Sequence, residues 1–186
     1  MRRALMSLAA AVLLVGCGND RTAPPEIGLT KAPGGFRPVA YPTHGVALRI
    51  PNNWRVEAGE GNRVITVNAG FGQVTVWRYV RDEPLPRTRT HLHNARKALI
   101  AQVQARDPTF ELASSRLIMR PGLRAVEIVG VGTNQGARRR SRSLHAYGRG
   151  GEVVVDAYAP VKDFPRVDEQ TFRPVLRSLQ LRAARS

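Results

Sequence analysis

Arg63-Val64-Ile65-Thr66-Val67-Asn68 and Gln73-Val74-Thr75-Val76-Trp77-Arg78-Tyr79-Val80, joined through Gly70-Phe71-Gly72, read as two strands around a tight turn. Apolar and polar residues alternate in both, and β-branched and aromatic side chains dominate. The period then changes. Leu92, Ala95, Leu99 and Val103 recur at three- and four-residue intervals, with Ile100 widening the stripe, so Thr90 to Arg106 is predicted to be an amphipathic helix. Thr88 or Thr90 can cap its start, and Asp107-Pro108 ends it. Strands gathered on either side of one helix point to an α+β fold.

Upstream, Gly45-Val46-Ala47-Leu48-Arg49-Ile50 alternates and stops at Pro51, and Asn52-Asn53-Trp54 turns the chain into a short strand ending at Glu57. Downstream, strands are predicted at Phe110 to Ile118, Leu123 to Gly132, Arg139 to Tyr147 and Glu152 to Ala159. The last three are joined by Asn134-Gln135-Gly136 and Arg149-Gly150-Gly151. Connections this short pair neighbours antiparallel. Phe164, Val167, Phe172, Val175, Leu176 and Leu179 outline a second helix, with Pro174 inside it predicting a kink or an early break. The expectation is an α+β domain over residues 36–186: a single antiparallel sheet meander flanked by two main helices.

This element order, with Pro51-x-x-Trp54 near its start and Phe172-x-x-x-Leu176-x-Ser178-Leu179 near its end, resembles the PsbP-like sandwich and its bacterial lipoprotein relatives over roughly residues 40–181. The resemblance implies an accessory or binding protein without catalysis. It carries no functional residue across, because no site motif aligns.

At the amino terminus, Met1-Arg2-Arg3 precedes an apolar run from Ala4 to Val15 interrupted only by Ser7, the layout of a secretory signal. About twelve residues cannot cross a hydrocarbon core that needs about 20. Cys17, the only cysteine, follows Leu14-Val15-Gly16 and resembles the lipobox of bacterial lipoproteins. That resemblance implies removal of residues 1–16, a diacylglycerol thioether on Cys17, and a new amino terminus often acylated, as by palmitate. Residues 17–35, rich in proline and glycine, then read as a flexible tether. The protein is thus expected on the outer face of the bacterial cell membrane.

Of 29 basic residues only three are lysine, and the formal charge of +15 becomes +13 once Arg2 and Arg3 leave with the signal. A basic protein at a membrane is drawn to anionic lipid or wall polymer. Export makes nucleic acid a poor partner, and no protein partner is indicated. Arg138-Arg139-Arg140 with Arg142 is the densest cluster. Placed at the tip of a hairpin, Arg138, Arg139, Arg140 and Arg142 would bind an anionic ligand, with Arg138, Arg140 and Arg142 in a row on one face, or merely be solvated. Catalytic and metal chemistry find little support. No thiol remains after lipidation, no serine stands in a Gly-x-Ser-x-Gly elbow, and no phosphate-binding glycine loop exists. His91 and His93, two apart on a helix, point about 200° away from each other, so no metal or cofactor is expected. Trp54, Trp77, Tyr79 and Phe71 form either core or a pocket wall. The resulting expectation is a lipid-anchored, non-enzymatic binding or accessory lipoprotein. Its alternatives are a carrier of a small or lipidic ligand in a cleft between sheet and helices, and a hydrolase whose His, Asp and Ser meet only in the fold.

If Cys17 carries the anchor, a fatty-acid probe will label the wild type and leave Cys17→Ala unlabelled, because two acyl chains hold a membrane stably where one does not. Equal labelling of both proteins would refute the assignment.

Overall fold

A computed structural model of the chain describes residues 30–134 and 136–184. The leader and Cys17 lie outside the described residues. Ten strands and two helical regions follow in the order β1 (Phe36–Tyr41), β2 (Val46–Pro51), β3 (Arg55–Ala58), β4 (Arg63–Ala69), β5 (Gly72–Val80), α1 (Arg89–Arg106), β6 (Glu111–Arg120), β7 (Leu123–Asn134), β8 (Ala137–Gly148), β9 (Gly151–Pro160), α2 (Phe164–Val167), a π-helical turn (Asp168–Phe172), α3 (Arg173–Arg177) and β10 (Gln180–Leu181). The eight strands read from the sequence are present. Helix α1 begins one residue before its predicted start, with the Thr88 hydroxyl accepting from the His91 amide at 3.1 Å.

The strands divide between two sheets, not one. A seven-stranded antiparallel sheet runs β3-β4-β5-β9-β8-β7-β6, and a small one runs β1-β2-β10. The split arises at Pro51-Asn52-Asn53-Trp54, which turns the chain out of β2 and starts β3 in the other sheet. Alternation shows that each stretch is a strand but is silent on its partner. The meander is also interrupted: β5 pairs with β9, as in Val76 opposite Val155, and α1 carries the chain from mid-sheet to β6 at the far edge.

The two faces of the large sheet are covered unequally. One buries Ile65, Val67, Val74, Val76, Val153 and Val155 against the small sheet and the C-terminal helical region. There the Trp54 ring meets Phe172 edge-on at 6.3 Å, and Phe172 meets Phe164 at 5.8 Å. The other face receives α1 alone, whose fully buried Leu92 packs with Val126, Ile128 and Tyr147 at the β7–β8 side. The rest of that face has no helix on it.

Pro174 breaks nothing. Its ring would crowd the carbonyl four residues back in a regular helix. The turn Asp168–Phe172 widens to π geometry just ahead of it, and the helix continues to Arg177.

Residues 30–35, read from the sequence as part of a tether, are held against the domain. Lys31 and Ala32 carbonyls accept from Trp54 Nε1 at 3.1 Å and Asn53 Nδ2 at 2.9 Å, and the Gly34 amide donates to Asn53 Oδ1 at 2.9 Å. Thr30 is buried against Gly72, where a side chain would collide with it. The Asn-Asn-Trp turn therefore docks residues 30–35 on the domain. Removing both Asn53 contacts should cost about 1–2 kcal/mol. Asn53→Ala is expected to speed hydrogen exchange at the Gly34 amide strongly while leaving β4 and β5 amides protected. Unchanged exchange at Gly34 would show that the segment does not depend on Asn53.

Candidate functional site

The uncovered part of the sheet forms a cleft of about 460 Å³, walled by the C-terminal end of α1 and by Phe110. Its floor is a grid set by strand register. One row of facing residues crosses four strands as Thr66, Thr75, Asp156 and Ser143. A second reads Asn68, Gln73, Tyr158 and Ser141, and a third Arg63, Trp77, Val154 and His145. A β-bulge between Arg63 and Ile65 puts Arg63, in place of Val64, opposite Trp77. Val64 is buried at 3% exposure instead. Bulges re-aim side chains in this way.

Buried polar groups must be paired, and this floor is largely paired within itself. Ser143 Oγ donates to Asp156 Oδ1 at 2.5 Å, Gln73 Nε2 donates to Thr75 Oγ1 at 2.9 Å, and the Thr66 and Thr75 hydroxyls lie 3.4 Å apart. Arg139 enters from the opposite side to Arg63. Its guanidinium stacks 5.7 Å from the Phe71 and Tyr158 ring centroids and donates to the Phe71 carbonyl at 2.9 Å. Burial raises the Tyr158 phenol above its ordinary pKa, against the pull of the Arg139 charge. Arg63, Arg139 and Arg106 line the cleft, and among the described residues none of them makes an ion pair with a carboxylate.

His145 and Ser143 share the cleft with Asp156 without forming a nucleophile–base pair. The His145 Nδ1 lies 2.7 Å from Glu152 Oε1, while Ser143 gives its proton to Asp156. General-base activation requires the serine hydroxyl to face an imidazole, and no such bond occurs among the described residues. Glu152 is almost wholly buried and also receives Arg81. Burial raises its pKa, but hydrogen bonds and charge from His145 and Arg81 outweigh this and hold it below the usual carboxylate range.

The arginine cluster is not an exposed row. Strand β8 lies inside the sheet between β7 and β9, so alternation sends its arginines to opposite faces. Arg138 donates to the Thr109 carbonyl and to Glu111 at the sheet edge. Arg139 faces the cleft, and Arg140 lies 5.4 Å above the Phe164 ring on the helical face. Arg142 is buried at 7% exposure, pairs bidentately with Asp168 at 2.6 and 2.7 Å, and meets Glu127 at 2.7 Å. Arg173 and Arg116 close the chain of charges at Asp168 and Glu127. The predicted tip thus resolves into a rivet between sheet and helix, three cation–π contacts made by two arginines, and one edge pair.

Cys17 lies outside the described residues. His91 is exposed and His93 half-buried near the start of α1, with His93 Nδ1 3.4 Å from Arg96, and no group of three metal-ligating side chains occurs among the described residues. Of the aromatics, Trp54 is core, Trp77 lines the cleft, and Phe71 is stacked by Arg139. Thr66, Thr75, Ser143 and Asp156 were not singled out in the sequence. Their signal was a polar residue at every second position of strands whose other positions are apolar.

No protein-family model matches this sequence, and no curated protein sequence matches it. Solved structures do. The cyanobacterial PsbP (CyanoP) of Synechocystis sp. PCC 6803 superposes with a TM-score of 0.61 at 13% identity, covering 78% of this chain and 92% of that one. LpqN, described as involved in cell envelope biogenesis of Mycobacterium tuberculosis, gives 0.53 at 14% identity over 80% and 91%. The Ran-binding protein Mog1p of Saccharomyces cerevisiae gives 0.52 at 6% identity over 79% and 95%. The fold is PsbP-like.

Two outcomes check this geometry. Arg142→Gln leaves Asp168 and Glu127 buried with too few partners and should cost about 3–5 kcal/mol, a melting-temperature fall on the order of 10 °C. Arg138→Gln, at an exposed pair, should cost under about 1 kcal/mol. Equal melting temperatures for the two variants would contradict the buried assignment. Glu152 has a depressed folded pKa, so its stabilisation is present above the ordinary glutamate value of about 4.3 and disappears as the pH falls below it. Glu152→Gln should flatten stability against pH in that acid range, as chemical denaturation at pH 3 to 6 would reveal.

Proposed function

We propose that this protein is a lipid-anchored accessory protein of the outer face of the bacterial membrane, non-enzymatic, binding a small polar ligand in the cleft of its large sheet. The observation that carries the reading is the polar grid. Rows of hydroxyl, amide and guanidinium groups line an open concavity on a sheet whose other face is conventional apolar core. An antiparallel sheet commonly leaves one face to water; here that face forms a cleft lined by polar groups, the form that ligand sites take.

The remaining support is indirect. The leader and Cys17 suit a lipoprotein, and the PsbP-like fold is shared with the envelope protein LpqN. With residues 30–35 docked, the span from Cys17 to Thr30 allows a reach of about 40 Å if extended, which would keep the cleft near the membrane surface. The excess of arginine then favours anionic lipid or wall polymer as the surrounding surface. The serine and histidine of the cleft fit binding better than acyl transfer, because each is bonded to its own carboxylate.

Native mass spectrometry of the full-length protein, extracted from its own membrane in non-ionic detergent, tests the proposal. A small-molecule adduct is expected on the wild type. Its occupancy should fall about tenfold, equivalent to about 1.4 kcal/mol, in Ser141→Phe, which fills the cleft. An adduct indifferent to that substitution, in a variant with an unchanged melting temperature, would place the ligand elsewhere and refute the reading.

A further inference from the structure

The cleft contains a charge pattern that narrows its ligand to one chemical class. Resting on the binding reading above, we infer that the ligand is an anionic, hydroxyl-bearing small molecule of the sugar-acid or sugar-phosphate type. Three observations carry this.

The first is the state of the arginines. Arg116, Arg138, Arg142 and Arg173 are all engaged by carboxylates of the protein. Arg63, Arg106 and Arg139, which line the cleft, make no ion pair among the described residues. Arg63 reaches its place only through the bulge in β4. Guanidinium groups lining one cleft without a protein carboxylate suit the planar, bidentate geometry of a carboxylate or phosphate.

The second is the acid among them. Asp156 sits in the middle of the floor, half-exposed, with Ser143 as its hydrogen-bonded partner. An anion with no proton to donate, such as sulfate, would be repelled there. A hydroxyl group would donate to its remaining oxygen, so the site asks for a donor beside the anion. Asp107, the other acid lining the cleft, is occupied by the Thr109 side chain and amide and by the Thr133 amide. The ligand therefore has to carry both a negative group and hydroxyl donors, which a fatty acid or a sulfate ion does not.

The third is the wall and the size. Trp77 is half-buried in the third row and lines the cleft, offering an aromatic surface next to the polar floor. A sugar ring has an apolar C–H face and polar edges, and this surface is split in the same way. A volume of about 460 Å³ lies in the range of small-molecule sites.

Isothermal titration of the full-length protein in non-ionic detergent tests the class with four probes: glucuronate, glucose 6-phosphate, glucose and inorganic phosphate. At least one anionic sugar is expected to bind about tenfold more tightly than either glucose or phosphate. Which of the two does so identifies the anionic group as carboxylate or phosphate. Arg139→Gln and Arg63→Gln, on different strands, should each weaken that binding about tenfold, while Arg→Lys at either position recovers part of it. Asp156→Asn should weaken the anionic sugar and strengthen sulfate, an anion with no proton to donate, a reversal that loss of folding cannot produce. Glucose binding as tightly as both anionic sugars, or both Gln variants binding like wild type, would overturn the inference. Silence from all four probes, with a cleft-dependent adduct still present by mass spectrometry, overturns the ligand class and leaves the binding reading standing. Silence together with loss of that adduct overturns both.

Discussion

A seven-stranded sheet presents two broad faces, and the helices of this chain extend over only part of them. The C-terminal helical region and the small sheet close one face completely. Helix α1, 18 residues long, closes the other only over β6 to β8. Its route is forced by topology: it must travel from β5 in mid-sheet to β6 at the edge. An 18-residue helix is about 27 Å long and cannot also roof the strands it leaves behind. The open cleft follows from that shortfall. The bare strands β4, β5, β9 and β8 would be a hazard if apolar, and they are instead polar at each cleft-facing position except Val154 and the aromatics.

Arginine serves three physical ends in one strand. Arg142, on the core face, is held by Asp168 and Glu127 and ties the sheet to the π-helical turn. Its own pKa is the outcome of burial, which lowers it, overcome by Asp168 and Glu127, which raise it. Such a group contributes less to net stability than its contacts suggest, because desolvation offsets the attraction, yet removing one partner is expensive. Arg140 spreads its charge over the Phe164 ring, and Arg139 stacks beside Phe71 at the mouth of the cleft. Neighbours in sequence thus have unrelated roles, decided by which face each one meets.

The Asn52-Asn53-Trp54 turn has a comparable double role. It separates the two sheets, and its side chains fasten the incoming chain from Thr30 to Gly35. Trp54 joins the two functions, with its ring against Phe172 and its Nε1 on the Lys31 carbonyl. Residues 30–35 are therefore fixed close to the core.

Local pattern determined a good deal. Alternation located the strands of both hairpin blocks, the three-and-four spacing located α1 to within a residue, and Thr88 and Asp107 marked its ends, because these signals depend only on neighbours along the chain. The lipobox-like Leu14-Val15-Gly16-Cys17 is of the same kind. Pairing was different. That β2 leaves the main sheet, that β5 meets β9, and that Pro174 is absorbed by a widened turn depend on contacts between residues far apart in sequence. The cleft belongs wholly to this second class. Thr66, Thr75, Asp156 and Ser143 lie in four separate strands, and only the register of three strand pairs sets them in one row. The same register turned Arg142 inward and left Arg63 and Arg139 facing the cleft. A one-residue slip would exchange the two faces, and a sequence read without its partners has no means of choosing between them.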